Sequence, residues 1–196
     1  MRATAVPPAR LVTRQAEVSL VDGALRLVVI ADTHGRPHPR AAELVRALAP
    51  TAILHAGDIG DLAVLDTFGA IARVIAVRGN IDEHAPDLPD VVAIDVRSGG
   101  ASVYRIALLH IGVYGAKVRG DAAKIAHAQG AKMLVCGHSH VPFVGRDKGL
   151  TVFNPGSIGP RRFALPIVFG VIEIAEGRLT VHHVDAETGE RWAPPG

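Results

Sequence analysis

Residues of metal-ligand type stand in an ordered series along the chain. They are Asp32 and His34 in "ADTHG", Asp58 in "GDIG", Asn80 in "RGNID", His110 in "HIG", and His138 and His140 in "GHSH". Together they offer two carboxylates, one amide and four imidazoles. Tetrahedral zinc takes four ligands, and a catalytic zinc leaves one position open. The set is therefore too large for one ion. With one carboxylate shared, it suits two ions about 3.5–4 Å apart, the separation used in metal-assisted phosphoryl transfer. Oxygen mixed with imidazole nitrogen suits Mn²⁺ first, with Fe²⁺, Zn²⁺, Co²⁺ or Ni²⁺ as alternatives; soft metals want thiolates.

Taken singly, D-x-H, G-D and G-N are ordinary turn sequences. Their weight comes from position. Each motif directly follows an apolar, β-branched run: "LRLVVI", "TAILHA", "RVIAV", "YRIALL" and "KMLVC". Such runs mark strands covered on both faces. In open α/β sheets, ligands gather beyond the carboxyl ends of the strands. Residues two apart in extended backbone point the same way, so D-x-H and H-x-H would each aim two ligands at one point. Gly35, Gly57, Gly79 and Gly137 adjoin the ligands and permit sharp turns.

The positioning elements follow from the pattern between these motifs. "PRAAELVRALAP" places Ala41, Leu44, Val45 and Leu48 on one helical face, stopped by Pro50. "DLAVLDTFGAI" and "GDAAKIAHAQG" read as further helices, the latter capped by Asp121 and stopped by Gly130. Strand alternating with helix gives βαβ units in an α/β sheet. The later chain predicts three hairpins, turning at Ser98-Gly99-Gly100, Asp147-Lys148-Gly149 and Glu176-Gly177. "AEVSLVDGALRL" reads as an extra edge hairpin or a tail, and the Pro-rich stretches "TAVPPAR" and "RWAPPG" as loose ends.

At 196 residues the chain has the length of one domain. Its 48% hydrophobic and 20% charged residues place it among globular rather than disordered chains. The net charge of +2 comes without any Lys/Arg block, so nucleic-acid binding is not indicated. The single cysteine, Cys136, lies in an apolar run and reads as a small buried hydrophobe. No apolar stretch reaches the ~18 residues of a membrane span, and the N-terminus lacks the apolar core of a signal peptide. The expectation is a cytoplasmic protein without membrane contact.

In this order the motifs resemble the calcineurin-like metallophosphoesterases. "IADTHG", "HAGDI", "VRGNID" and "FNPGSIGPRR" are similar to the small, single-domain phosphodiesterase branch of bacteria and archaea, itself related to a eukaryotic retromer coat subunit. The resemblance implies an α/β protein folded as a four-layer α/β/β/α sandwich over residues 25–185, with an extension at 1–24 and a tail at 186–196. It implies Asp32, His34 and His140 on one metal, Asn80, His110 and His138 on a second, and Asp58 bridging. A water held between the ions at Asp58 would attack phosphorus in line with the leaving oxygen. The implied partner is a small phosphodiester, with homo-oligomerisation left open. The resemblance also carries two other functions: a non-catalytic metal-binding scaffold of the retromer type, and a phosphomonoesterase.

Two family histidines are absent. Ile81 stands where larger relatives have the histidine of G-N-H-E, and Gly112 stands where the branch usually has the second histidine of H-G-H. General-acid help is worth about 10²–10⁴-fold, so esters with poor leaving groups should suffer most. Arg161, His84 and His38 are the candidate substrate contacts, Arg161 because a guanidinium can pair with a phosphate. Asp82 is open between orienting a ligand and being a solvated turn carboxylate. His55 reads as a core or supporting residue, and His127, His182 and His183 as surface or structural ones.

Overall fold

The computed structural model describes residues 11–194, and in it the apolar runs become strands of two stacked sheets. The first half of the chain runs β1 (Thr13–Ser19), β2 (Ala24–Ile30), α1 (Ala41–Ala47), β3 (Ala52–His55), α2 (Ala63–Gly69), β4 (Val74–Ala76), β5 (Val91–Ser98) and β6 (Ala101–Leu109). There follow β7 (Val113–Tyr114), β8 (Lys117–Val118), α3 (Gly120–Ala128), β9 (Met133–Val135), β10 (Phe143–Asp147), β11 (Leu150–Asn154), β12 (Val168–Ala175), β13 (Arg178–Asp185) and β14 (Arg191–Trp192). One sheet has the order β14-β13-β12-β2-β3-β4 and the other β1-β5-β6-β9-β11-β10, while β7 and β8 form a separate ribbon.

Side-chain alternation along each strand builds the layers. Leu25, Leu27 and Val29 of β2 meet Ile94, Ile106, Leu108, Met133 and Phe153 in a core between the sheets. Val28 and Ile30 face the other way, onto Val45 of α1 and Val64 and Phe68 of α2. Across the second sheet, Ala107, Leu109 and Leu134 meet Ala122, Ala123 and Ala126 of α3. Both faces of the central strands are covered, which is why their sequences show no polar alternation. The layers run helix, sheet, sheet, helix: the four-layer α/β/β/α sandwich.

The three hairpins turn at Gly99-Gly100, Lys148-Gly149 and Glu176-Gly177, with both residues of each pair at positive φ, as type I′ turns require. Other expectations are corrected. The five apolar runs do not share one sheet: β2, β3 and β4 lie in the first, β6 and β9 in the second. The late hairpin β12–β13 returns to the first sheet, where β12 pairs antiparallel with β2 from Ala24 to Val29. That pairing spans most of the chain and leaves no local signal. Arg119, not Asp121, occupies the N-cap of α3, and it makes no side-chain cap. Asp121 sits in the first turn and accepts the Ala122 N–H at 2.9 Å.

The segment before β2 is neither hairpin nor tail. β1 is an edge strand of the second sheet, parallel to β5 from Thr13↔Val91 to Ser19↔Arg97. At the other end, β14 pairs with β13, and Trp192 stands edge-on to the His183 ring. The domain limits expected at residues 25 and 185 thus fall inside the sheets. "RWAPPG" begins with β14, and "TAVPPAR" lies outside the described residues. No helix among the described residues is long and apolar enough to cross a membrane.

Phe153 is fully buried in the core between the sheets, with its ring 5.1 Å from that of His183. Phe153→Ala should cost about 3–5 kcal/mol through lost transfer energy and an unfilled cavity, and Phe153→Leu clearly less. Urea unfolding of the variants tests this; a loss under about 1 kcal/mol for Phe153→Ala would contradict the packing described.

Candidate metal centre

The loops that leave β2 and β3 run side by side. Asp32 N–H donates to Gly57 O at 2.9 Å, His34 N–H to Asp58 O at 3.0 Å, and Gly35 N–H to Ile59 O at 2.7 Å. The second sheet closes on them: His138 N–H donates to both Asp32 oxygens, at 3.2 and 3.0 Å, and Gly137 N–H to His110 O at 2.9 Å. Strand ends from both sheets therefore converge on one point.

The backbone there is not extended. Asp32, His34, Asp58, His138 and His140 all have φ between 46° and 68°, five of the ten non-glycine residues at positive φ among the described residues. The paired ligands of D-x-H and H-x-H converge because both members adopt the left-handed conformation, not because alternate residues of a strand share a face. Each such residue costs on the order of 1–3 kcal/mol, and such strain gathers where function over-determines the structure. Gly79 permits a close approach, since a Cβ there would stand 2.2 Å from the Asp58 amide nitrogen and carboxylate.

Two groups of donor atoms result, each within 4.8 Å: Asp32, His34 and His140, and Asp58, His110 and His138. Asp58 faces both. Its Oδ2 lies 3.9 Å from His34 Nε2, and its Oδ1 lies 3.2 Å from His110 Nε2. Within the first group, His140 Nε2 is 3.3 Å from His34 Nε2 and 3.4 Å from Asp32 Oδ1. In the second, the His110 and His138 rings meet edge-on at 5.1 Å. Asn80 shares the wall of a cavity of about 340 Å³ with His110.

Burial decides the electrostatics. It pushes the Asp32 carboxyl up to about 7, and the His34 and His138 imidazoles down, with His140 at about 4. Burial would also raise Asp58, but the adjacent His110 and the Ile81 N–H at 3.2 Å more than offset it, holding the carboxyl at about 2. His110 is lowered by burial but raised overall by the Asp58 and Asp32 carboxylates. Its Nδ1–H donates to Ala56 O at 2.7 Å, since a carbonyl only accepts, so in the neutral ring Nε2 presents a lone pair. That nitrogen is buried without a hydrogen-bond partner, facing a carboxylate oxygen. Two acceptors so close repel unless a proton or a cation lies with them. The donor set therefore fits divalent cations, with the second ring nitrogen of His110 fixed by a backbone carbonyl, as is usual for a ligating histidine.

Several residues brace the ligand loops. Asp82 is fully buried and accepts the N–H groups of Ile59, Gly60 and Gly79 at 3.1, 2.9 and 2.7 Å, tying the Asp58 loop to the Asn80 loop. It is not a solvated turn carboxylate. Asn154 holds the G-H-S-H loop through Gly137 O at 2.8 Å and Ser139 Oγ at 3.1 Å. Ser157 Oγ donates to Asp32 O at 3.0 Å. His55 Nδ1 accepts the Gly57 N–H at 3.2 Å, so its Nε2–H donates to Thr33 Oγ1 at 3.1 Å, and Thr33 passes the chain on to Ile59 O at 2.9 Å. The only sequence signal for these braces was the compact "FNPGS" stretch and an aspartate two residues after Asn80.

The residues expected to contact substrate are placed as follows. Arg161 is engaged elsewhere, ion-paired with Glu187 and donating to Leu165 O at 2.9 Å. Its neighbour Arg162 reaches the site, with Nη2 donating to His34 Nε2 at 3.1 Å. Sequence could not choose between adjacent arginines. His38 serves the start of α1, where its Nδ1 accepts the Arg40 N–H at 3.4 Å. His84 is exposed on the turn after Asn80 and belongs to neither donor group. At Gly112 there is no vacancy for a histidine: a Cβ there would meet Cys136 Cβ at 2.7 Å and Sγ at 2.9 Å. Cys136 is buried, and burial pushes its thiol up to about 12.

Comparisons with known proteins agree with this geometry. Residues 25–177 match the family described as the calcineurin-like phosphoesterase superfamily domain. A probable metallophosphoesterase of Methanothermobacter thermautotrophicus is 31% identical over 175 residues, 85% of this chain and 92% of that protein. Among solved structures, wild-type Vps29 of Entamoeba histolytica in complex with Zn²⁺ superposes with TM-score 0.66 at 22% identity, over 86% of this chain and 96% of that one. YfcE, a phosphoesterase from E. coli, superposes with TM-score 0.57 at 19% identity, over 86% and 97%. At these identities the two structures speak for the fold.

The fully buried His55 gives a pH prediction. Burial lowers its pKa from 6.5 to about 3. Between those values the unfolded chain takes up a proton that the folded protein refuses. Its contribution is therefore intact above pH 6.5 and lost on acidification toward pH 3, by up to ~1.4 kcal/mol per pH unit. Denaturant unfolding across this range should show a shallower acid loss for His55→Gln than for the wild type. Parallel curves would contradict a neutral, buried His55.

Proposed function

The chain belongs to the calcineurin-like phosphoesterase superfamily, and on that premise we propose that it hydrolyses phosphodiesters at a dinuclear centre of divalent ions, Mn²⁺ foremost. Asp32, His34 and His140 would hold one ion, and Asn80, His110 and His138 the other. The observation that carries this reading is the placement of Asp58, one oxygen toward each donor group. When bound, such ions supply an activated water as nucleophile and neutralise charge on the phosphoryl oxygens.

The chain's own residues do the rest. Asp58 stays ionised well below neutrality, and the Ile81 N–H fixes its orientation. The Ala56 carbonyl keeps the His110 proton on Nδ1 and leaves Nε2 free to ligate. Arg162 donates to the His34 lone pair that a metal would take, so in the loaded site its guanidinium must turn to another acceptor. An exposed arginine beside a phosphoester site has the phosphoryl oxygens as its natural bidentate partner. The two positions where relatives carry a histidine offer no proton to the leaving group: Ile81 has none to give and Gly112 has no side chain, and the Cys136 thiol beside Gly112 is buried and too weakly acidic. The substrates favoured are therefore diesters whose leaving group departs as a stable anion.

Vps29 neighbours and the missing histidines favour a second reading, a metal-binding scaffold without turnover. Asp58→Asn separates the two. On the enzymatic reading, the wild type binds about two equivalents of metal and hydrolyses bis(p-nitrophenyl) phosphate with Mn²⁺, far faster than dialkyl phosphates, and the variant loses both metal and turnover. Metal without turnover in the wild type, after reloading, would favour the scaffold. Equal rates on aryl and alkyl diesters would contradict the absence of a general acid.

Arg162→Ala should lower kcat/KM for the aryl diester by about 10²-fold, the typical loss on deleting one donor to a developing oxyanion. Its metal affinity, measured by calorimetry, should stay level or rise, because a competing donor and a positive charge leave His34. Weaker metal binding in the variant would make Arg162 a support for His34 instead.

A further inference from the structure

The cavity of about 340 Å³ that borders the metal centre has walls of a definite chemical kind. Asn80 and His110 form its inner side. Leu11, Val91, Leu109, Ile111, Ala122 and Ile125 supply apolar surface from four parts of the fold: the segment before β1, the start of β5, the end of β6 and the first turns of α3. Its charged residues cancel. Arg78 is bidentate to Asp90, at 2.6 and 3.1 Å, and Arg119 to Asp121, at 3.1 and 2.9 Å. A second phosphate or a carboxylate would find both guanidiniums occupied and two carboxylates beside them. A neutral group would meet no such repulsion. The planar guanidiniums favour a planar π-face over an alkyl chain.

Size narrows the occupant further. An apolar cavity of about 150 Å³ already accommodates benzene, so this one takes a single ring with its linkage, or two fused rings. It has no room for a macromolecule. Ile81 and Ile111, which directly follow Asn80 and His110, are 42% and 39% exposed, and extend the apolar surface to the rim of the metal centre.

We propose that this cavity is the subsite for one organic substituent of the phosphodiester, and that it selects an uncharged aromatic group of one or two rings. The proposal rests on the phosphodiesterase reading above and adds the substrate class. The Asn80–His110 side anchors the phosphoryl group, while the ring lies between Ile111 and α3. An aromatic leaving group is also the kind that needs no protonation, which matches the missing general acid.

Phosphonates test the subsite without turnover. Mn²⁺-loaded full-length protein is titrated calorimetrically with phenylphosphonate, methylphosphonate and inorganic phosphate. Burying one phenyl ring should make phenylphosphonate at least about ten-fold tighter than methylphosphonate. Ile125→Trp, which fills the cavity, should bring the ratio close to one. Ile111→Ala, at a partly exposed position where folding is not at risk, should reduce it. Equal affinities in the wild type, or a preference that survives both substitutions, overturns the subsite while methylphosphonate and phosphate still report an intact phosphoryl site. If neither of these binds the loaded protein, the phosphoesterase reading itself falls, and the subsite with it.

Discussion

Everything at the active end of this fold depends on holding ligand-type atoms close together. His110 Nε2 and Asp58 Oδ1 lie 3.2 Å apart, and His34 and His140 bring their Nε2 atoms to 3.3 Å, contacts that a shared proton or a cation must bridge. Burial raises the Asp32 carboxyl to about 7, because its charge is unfavourable there. Left-handed backbone at five of the donors adds strain. A chain that gained nothing from this arrangement would relax it. Cations between the donors would turn these close contacts into ligation, which gives the strain a use.

The two-sheet architecture is what makes the convergence rigid. Asp32, His34, Asp58 and Asn80 follow strands β2, β3 and β4 of one sheet; His110, His138 and His140 follow β6 and β9 of the other. The donor groups are each assembled across the sheet-to-sheet interface, His140 joining the first and Asp58 the second. Sliding one sheet over the other would separate ligands of both groups at once. The core around Leu27, Ile106, Met133 and Phe153 resists that, because close-packed interiors tolerate little displacement. At shorter range, Asp82 locks two loops of the first sheet together, and Asn154 and Ser157 tie both sheets' loops to the segment after β11.

Much of this was legible in the sequence because the informative features are local. An apolar run followed by a ligand residue declares a strand end, and the paired positive-φ residues at Lys148-Gly149 and Glu176-Gly177 sit where turn chemistry demands them. What was hidden is non-local or conformational. The return of β12 to β2 depends on shape complementarity between distant segments, and β1 on an edge left open by β5. The left-handed ligand backbone could not be read, because Asp and His, though commoner there than most residues, adopt it at only a minority of positions; the extended-strand argument reached the right convergence by the wrong geometry. Arg161 and Arg162 are identical as letters, and only the course of the loop sends the second to His34 while the first pairs with Glu187.

The missing histidine at Gly112 shows how a single difference is absorbed by its neighbours. The site is not a hole left by deletion, since the Cys136 side chain stands within 3 Å of where a Cβ would be. Restoring a histidine would require removing that side chain, so the two positions are coupled through packing. Cys136 is thus more than filler in the strand before G-H-S-H: it enforces the loss of a proton donor beside the second donor group. On the proposed phosphodiesterase reading, acid strength would come from the leaving group itself, and the apolar, charge-balanced cavity beside His110 suits an aromatic group that can supply it. Proton delivery and substrate recognition would then be one adaptation, with the selected molecule carrying the chemistry the site lacks.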